Sequence, residues 1–269
     1  MVAEEEDVPT RTLLIGWRRD MQDMITEVDK WVNPGSYLAI LAEAPSLAER
    51  KAELENADLF IEDPETGLKN VELEQMLGNP ILRDDLVASN LKDYDAVMIL
   101  TEDRDGVPGL QSDSRTMVTM LLCRDIQQKM GATNVKTGEM PVLIAEILDQ
   151  RTAELVALAS ANDFMVSNLL VSQGLGQMSQ EIDVHPLLED LFSPEGMEMH
   201  IKPVGRYAHE GEHLSFWEII NRARRHCEIA MGYERKGPEG DYVISLNPVK
   251  KEEKIVWRLG DRIVVLSDE

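Results

Sequence analysis

The segment His209-Glu210-Gly211-Glu212-His213 has the His-Glu-x-x-His spacing of zinc proteases. That chemistry needs both histidines on one face of a regular helix, with the glutamate as general base. Gly211 weakens a helix here, and helical periodicity begins only after Ser215, so the segment reads as a polar loop. A second candidate is the turn Gly16-Trp17-Arg18-Arg19-Asp20-Met21. In dinucleotide-binding sheets such a turn carries Gly-x-Gly-x-x-Gly, which lets a pyrophosphate approach the backbone at a helix N-terminus. Only the first glycine is present; Arg18 and Met21 occupy the other two places. Glu43 matches the acidic residue that would hold a ribose. Arg115, in Asp113-Ser114-Arg115 at a helix start, suits either a surface ion pair beside a cap or a ligand phosphate or carboxylate. Gly16, Arg18, Glu43 and Arg115 are therefore the cofactor-binding candidates. The missing glycines disfavour a nucleotide and leave hydride transfer with little support.

The third candidate is acidic. Thr101-Glu102-Asp103-Arg104-Asp105-Gly106, followed by Asp113, offers several oxygens of the kind that hard cations such as Ca²⁺ take at flexible distances. The spacing is not that of an EF-hand, so a solvated acidic loop stands beside a regulatory cation site built on Glu102, Asp103, Asp105 and Asp113. No Ser/His/Asp or Cys/His nucleophile arrangement can be read, and the chain is expected not to be an enzyme.

The elements that must position these residues alternate strand and helix. Thr12–Gly16 reads as a buried strand, Arg18–Val32 as an amphipathic helix and Tyr37–Ala42 as a second strand. Val71–Met76, Ala96–Leu100 and Pro141–Leu148 supply further strands, with Ser114–Met130 as a helix entered through Ser112-Asp113. That order predicts a doubly wound α/β fold with a parallel sheet and right-handed crossovers. Ligand chemistry is then expected at the carboxyl ends of the strands, at Gly16–Arg19, Glu43 and Thr101–Asp105. Thr152–Leu191 reads as helical and unusually apolar, either a connecting helix that makes a subunit contact or an internal core helix. After the break at Ser193-Pro194-Glu195-Gly196 comes a small α+β lobe. It has strands near Met199–Val204, Glu228–Tyr233, Tyr242–Leu246, Ile255–Trp257 and Arg262–Leu266, and a helix over Phe216–Ala223 capped by Ser215. The expected domains are 1–150, a crossover segment 151–196 and a C-terminal lobe 197–269.

Charge divides the chain at the same place. The net charge is −23, yet Met199 to the end holds 12 basic and 12 acidic residues, so the first 198 residues carry all of the excess. Such a chain repels nucleic acid and anionic membrane surfaces. The acidic part serves either solubility or the attraction of cations. No apolar run approaches the roughly 20 residues of a membrane span. Glu4, Glu5, Glu6 and Asp7 near the start are unlike a secretory signal. Cys123 and Cys227 suggest a reducing compartment and no disulfide.

The stretch Leu13 to Met24, with Gly16-Trp17-Arg18-Arg19-Asp20 at its centre, resembles a signature in the second RCK domain of CASTOR/POLLUX ion channels. Ser112–Arg115 with Leu121–Gln127, Ile144–Arg151, Asp163–Val171, Leu187–Gly196, Ile201–Pro203 and Ile229–Tyr233 extend the resemblance in order along nearly the whole chain. The resemblance implies a Rossmann-like lobe, crossover helices and a small C-terminal lobe. It further implies self-association as a dimer and within a tetrameric gating ring, with the channel pore and a first RCK domain as partners. The implied regulator is Ca²⁺; no membrane insertion is expected of this segment, and a nucleotide stays disfavoured by the missing glycines. It places the chain as a soluble domain on the cytoplasmic or equivalent face of a membrane channel, either a fragment of it or a stand-alone regulator. No ion-binding residue is carried over from the family.

Overall fold

A computed structural model of the chain describes residues 8–56, 67–101, 109–134, 140–158, 164–194, 196–237 and 242–267. They fall into two compact units that meet between Gly176 and Gln177. In the first unit the order is β1 (Arg11–Ile15), α1 (Met21–Trp31), β2 (Ser36–Ala42), α2 (Leu47–Asn56), β3 (Val71–Leu77) and α3 (Arg83–Ala88). It continues with β4 (Ala96–Ile99), α4 (Gly109–Met130), β5 (Val142–Ile147), α5 (Gln150–Leu158), β6 (Phe164–Val166) and α6 (Ser167–Gln180), which crosses the division.

The strands lie in the order β3-β2-β1-β4-β5-β6 and every neighbouring pair is parallel, so the expected Rossmann-like sheet is present. Alternation along β1 shows why it needs no polar face. Leu13 and Ile15 join a core with Leu86, Met120 and Ile126, while Leu14 joins a second core with Met21, Ile25 and Leu54. Both faces are covered by helices, which is why the central strands read as continuous apolar runs. The strand order reverses between β1 and β4, and the crevice beyond their carboxyl ends is where this architecture receives ligands.

Two expectations about elements are corrected. The helix expected from Arg18 starts at Met21, because Gly16 takes a φ of +111° and the intervening residues form the turn. The segment read as continuous helix from Thr152 to Leu191 contains a short parallel strand, β6, paired with β5 through Ala145 to Ile147. A three-residue strand is too short for its period of two to register against an apolar helical pattern.

The second unit holds α7 (Val184–Leu191), β7 (Glu198–Pro203), β8 (His213–Ser215), α8 (Phe216–Ala223), β9 (Ile229–Lys236), β10 (Tyr242–Leu246), β11 (Lys254–Val256) and β12 (Arg262–Ser267). An antiparallel sheet in the order β10-β9-β12-β7 and the antiparallel pair β11-β8 surround a core of Phe216, Ile219, Ala223, Trp257, Ile263 and Val265. Ser215 caps α8 as expected: its hydroxyl accepts from Glu218 N, and the Glu218 carboxylate accepts from Ser215 N, a complete capping box.

Candidate functional site

The crevice at the carboxyl ends of β1 and β4 begins with Gly16. Its N–H donates to Leu41 O at 2.9 Å, and a Cβ at this position would stand 2.8 Å from Leu100 O. Glycine is required here by the approach of two strands, independently of any ligand. The residues that follow fill the turn with the protein's own side chains. Trp17 is 7% exposed and donates its indole N–H to Glu53 at 3.3 Å. Arg50, fully buried, lies 5.3 Å from the Trp17 ring centre. It donates to the carbonyls of Ala42 (2.6 Å), Pro45 (2.7 Å) and Met76 (3.0 Å), closing the carboxyl ends of β2 and β3.

Arg18 is held between two carboxylates. Its Nη1 donates to both oxygens of Glu146 at 2.8 Å, and its Nε and Nη2 donate to Asp20 at 2.9 and 2.8 Å. Glu146, near the end of β5, also accepts from Thr101 N at 3.0 Å, so one cluster joins the β1–α1 turn, the end of β4 and β5. Burial works against the guanidinium charge, but hydrogen bonding to Asp20 and the charges of Glu146 and Asp20 outweigh it and raise the Arg18 pKa further. The Arg18 guanidinium is thus engaged by the protein's own carboxylates, which makes it a poor partner for a pyrophosphate.

Glu43 and Arg115, expected on separate grounds, meet. Arg115 Nη2 and Glu43 Oε2 are 3.1 Å apart, and Asn79 donates to the other Glu43 oxygen at 3.1 Å. Arg115 lines, with Gly16, Leu100, Ser112 and Thr116, a cavity of about 100 Å³. That volume suits waters or a small ion and lies below the roughly 300–1,000 Å³ of cofactor pockets.

Of the cation candidates, Glu102, Asp103 and Asp105 lie outside the described residues. Asp113 is fully buried inside α4, which starts at Gly109 and not at Ser114. Its two oxygens accept from Leu148 N and Asp149 N, each at 2.9 Å, tying α4 to the end of β5. Among the described residues no group of three or more His, Cys, Asp or Glu is arranged to hold a metal ion. The His209–His213 segment is a loop leading into β8, as expected; Glu212 pairs with Arg222 at 2.6 Å and His213 belongs to the strand.

Sequence reasoning missed Glu146, Asn79 and Arg50. Glu146 carried a signal, since a carboxylate inside an apolar strand must find a cation or donors. Arg50 and Asn79 carried none, because their partners are backbone carbonyls and a side chain far away in sequence.

No family model matches the chain. It is 36% identical over 281 residues to the ion channel CASTOR of Lotus japonicus, covering 97% of this chain and 32% of that protein. It is 34% identical over 279 residues to a probable ion channel POLLUX of Oryza sativa subsp. japonica, covering 96% and 28%. The chain thus spans about a third of the length of the curated relatives it matches. The human SLO3 gating ring superposes with a TM-score of 0.59 at 9% identity, over 96% of this chain and 44% of that one, a likeness of fold alone. Among the described residues no helix is long and apolar enough to cross a membrane. The resemblance to the CASTOR/POLLUX channels therefore holds along nearly the whole chain, and the matched relatives are ion channels, in keeping with a non-enzymatic reading.

Proposed function

We infer that this chain, akin to CASTOR/POLLUX ion channels over nearly its full length, is the second RCK domain of such a channel and acts as a gating-ring regulator. The observation that carries this reading is the 36% identity sustained over 97% of the chain. The pore and a first RCK domain belong to the remainder of the parent channel. The regulatory segment then sits on the cytoplasmic or equivalent face.

Self-association is supported by α6. None of its residues is buried, although Leu170, Val171 and Leu175 are apolar and exposed by 47%, 61% and 60%. An apolar helix left open to water marks an interaction surface, and a second copy of the chain completes it. Dimers formed in this way assemble into a tetrameric ring.

The regulator we propose is Ca²⁺, drawn by the acidic first 198 residues and held by the loop carrying Glu102, Asp103 and Asp105. The ion acts by population shift: it binds one ring conformation better, and the difference in binding free energy biases the pore. Moving an equilibrium from 1:99 to 99:1 needs about 5.5 kcal/mol, a load that four subunits can share. A nucleotide cofactor is disfavoured by the Asp20–Arg18–Glu146 cluster in the turn and by Trp17 and Arg50 beside it.

Calorimetric titration of the purified chain with Ca²⁺, Mg²⁺ and NAD(H), with light-scattering mass recorded alongside, tests the reading. Saturable Ca²⁺ binding with a change in mass supports it. NAD(H) binding without a cation effect transfers the chain to the nucleotide-binding class. Silence towards all three leaves a ligand-free scaffold.

A further inference from the structure

In an acidic chain, the second unit gathers cations around one opening. A cavity of about 430 Å³ is lined by Arg206, Arg222 and Arg225, by His209 and His226, and by Glu212. The size lies within the range of small-molecule sites. Arg206 follows β7, His209 and Glu212 lie in the loop before β8, Arg222 is in the last turn of α8, and Arg225 and His226 follow that helix. Two stretches about ten residues apart, 206–212 and 222–226, therefore turn basic groups toward the same space.

Internal pairing does not account for all of this charge. Arg222 makes two hydrogen bonds to Glu212, at 2.8 and 2.6 Å, and a third to Tyr207 O at 2.8 Å. Arg206 and Lys202 share the single buried carboxylate of Glu228, each at 3.1 Å, and Tyr207 donates its hydroxyl to the same group. Arg225 makes no side-chain hydrogen bond or ion pair among the described residues. Of the groups that line the cavity, three arginines stand against Glu212 in its wall and the buried Glu228 behind Arg206, leaving one formal positive charge, that of Arg225, with the histidines neutral. The partial negative charge at the end of α8 offsets part of this, but it is about half a charge. Helix-end compensation also gives no reason for His209 and Arg206 to join from elsewhere.

We propose that this cavity is a binding site for a phosphorylated small molecule. Guanidinium groups present planar donor forks that match phosphate oxygens, and several converging on one space select a multivalent anion over a single carboxylate. Arg225 is the principal anchor, because its charge is uncommitted and its side chain is exposed. Glu212 opposes the ligand: it holds Arg222 in place while lending a negative charge to the wall. The His226 ring packs edge-on to Tyr207, with centroids 5.9 Å apart, which fixes one side of the opening.

The test is calorimetric titration of the full chain with inorganic pyrophosphate and with inorganic phosphate, at constant ionic strength and without divalent cations. Pyrophosphate is expected to bind saturably at one site per chain and more tightly than phosphate. Arg225→Gln is expected to weaken it at least tenfold, with an unchanged circular dichroism spectrum because the replaced group holds nothing else. Glu212→Gln is expected to tighten it several-fold. Absence of saturable binding overturns the proposal. So does binding indifferent to Arg225→Gln, or binding abolished by Arg18→Gln, which would move the anion to the crevice of the parallel sheet. Because Ca²⁺ is absent, the result is independent of the gating-ring reading.

Discussion

The cluster that closes the β1–α1 turn makes a quantitative prediction. Glu146→Gln removes a carboxylate whose side chain is 10% exposed while keeping a carbonyl oxygen to accept from Thr101 N. Removing one member of a buried ion pair costs about 3–5 kcal/mol when the partner is left alone. Here Arg18 is 26% exposed and keeps Asp20, so a lower cost, about 2–3 kcal/mol, is expected. Arg18→Gln is expected to cost about the same, since Glu146 then keeps only the Thr101 N–H as a donor. Asp20→Asn, at a carboxylate 48% exposed, is expected to cost under about 1 kcal/mol. The coupling in an Arg18→Gln/Glu146→Gln cycle, measured by urea denaturation, is expected near 1–2 kcal/mol. Hydrogen exchange at the Thr101 amide supplies a local readout, because its acceptor is the altered group. Additivity within about 0.3 kcal/mol, or a loss from Asp20→Asn as large as that from Glu146→Gln, would refute the assignment of Glu146 as the partner that locks the turn.

Four further outcomes follow from the same structure. Gly16→Ala, which puts a Cβ 2.8 Å from Leu100 O at a φ of +111°, is expected to destabilise the α/β unit by more than about 2 kcal/mol in chemical denaturation; a neutral result would reject the close approach of β1 and β4. Hydrogen bonds from Arg222 and from the His209 backbone hold the Glu212 carboxyl down at about 2. Its contribution is therefore complete above the ordinary glutamate range near 4.3 and is lost as pH falls toward 2, so Arg222→Gln is expected to flatten the acid limb of the small lobe's stability there. An acid limb that Arg222→Gln leaves unchanged would reject the pair. Val171→Glu with Leu175→Glu is expected to lower the light-scattering mass of the chain by breaking the α6 contact, whereas an unchanged mass would place self-association elsewhere. Replacing Glu102, Asp103 and Asp105 by Gln or Asn is expected to weaken Ca²⁺ binding at least tenfold, and an unaltered calorimetric titration would move the cation site off this loop.

What could be read from residue order was whatever rests on periodicity over several turns. The central strands are apolar on both faces, and the Ser215-to-Glu218 spacing announces its own helix start. Contacts across the sheet were less accessible. Glu43 and Arg115 were each chosen as ligand residues, and the fold spends them on one another as well as on Asn79. Asp113, placed at a helix entry by its neighbours, lies inside α4 because the helix begins at Gly109, and burial turns its carboxylate toward two backbone amides. In each case a charged side chain near a strand end had two outlets, a ligand or another part of the protein, and local sequence does not distinguish them. Glu146 is the instructive exception. An ionised group in the interior of a parallel sheet is expensive without partners, so its presence among apolar neighbours already implied a cation nearby.

The strand order and crevice of a dinucleotide-binding sheet are present here, while Arg18 in its turn is engaged by the protein's own carboxylates. Arg18 stands where the second glycine of that turn would be, and Glu146 and Asp20 hold it, so an internal ion cluster occupies the turn. An arginine without an internal partner among the described residues is found instead in the small lobe, which is neutral from Met199 onward but gathers Arg206, Arg222 and Arg225 at one cavity. The charge division of the chain thereby acquires a physical sense. Under the proposed reading the acidic first 198 residues receive a cation and the small lobe a multivalent anion, so two ions of opposite sign act on one chain without competing for a site. Linkage then requires reciprocity: if Ca²⁺ changes the affinity for pyrophosphate by some factor, pyrophosphate changes the affinity for Ca²⁺ by the same factor. Equality of those two factors in crossed titrations would identify a single conformational equilibrium that both ions bias, and a factor of one in both would make the two sites independent.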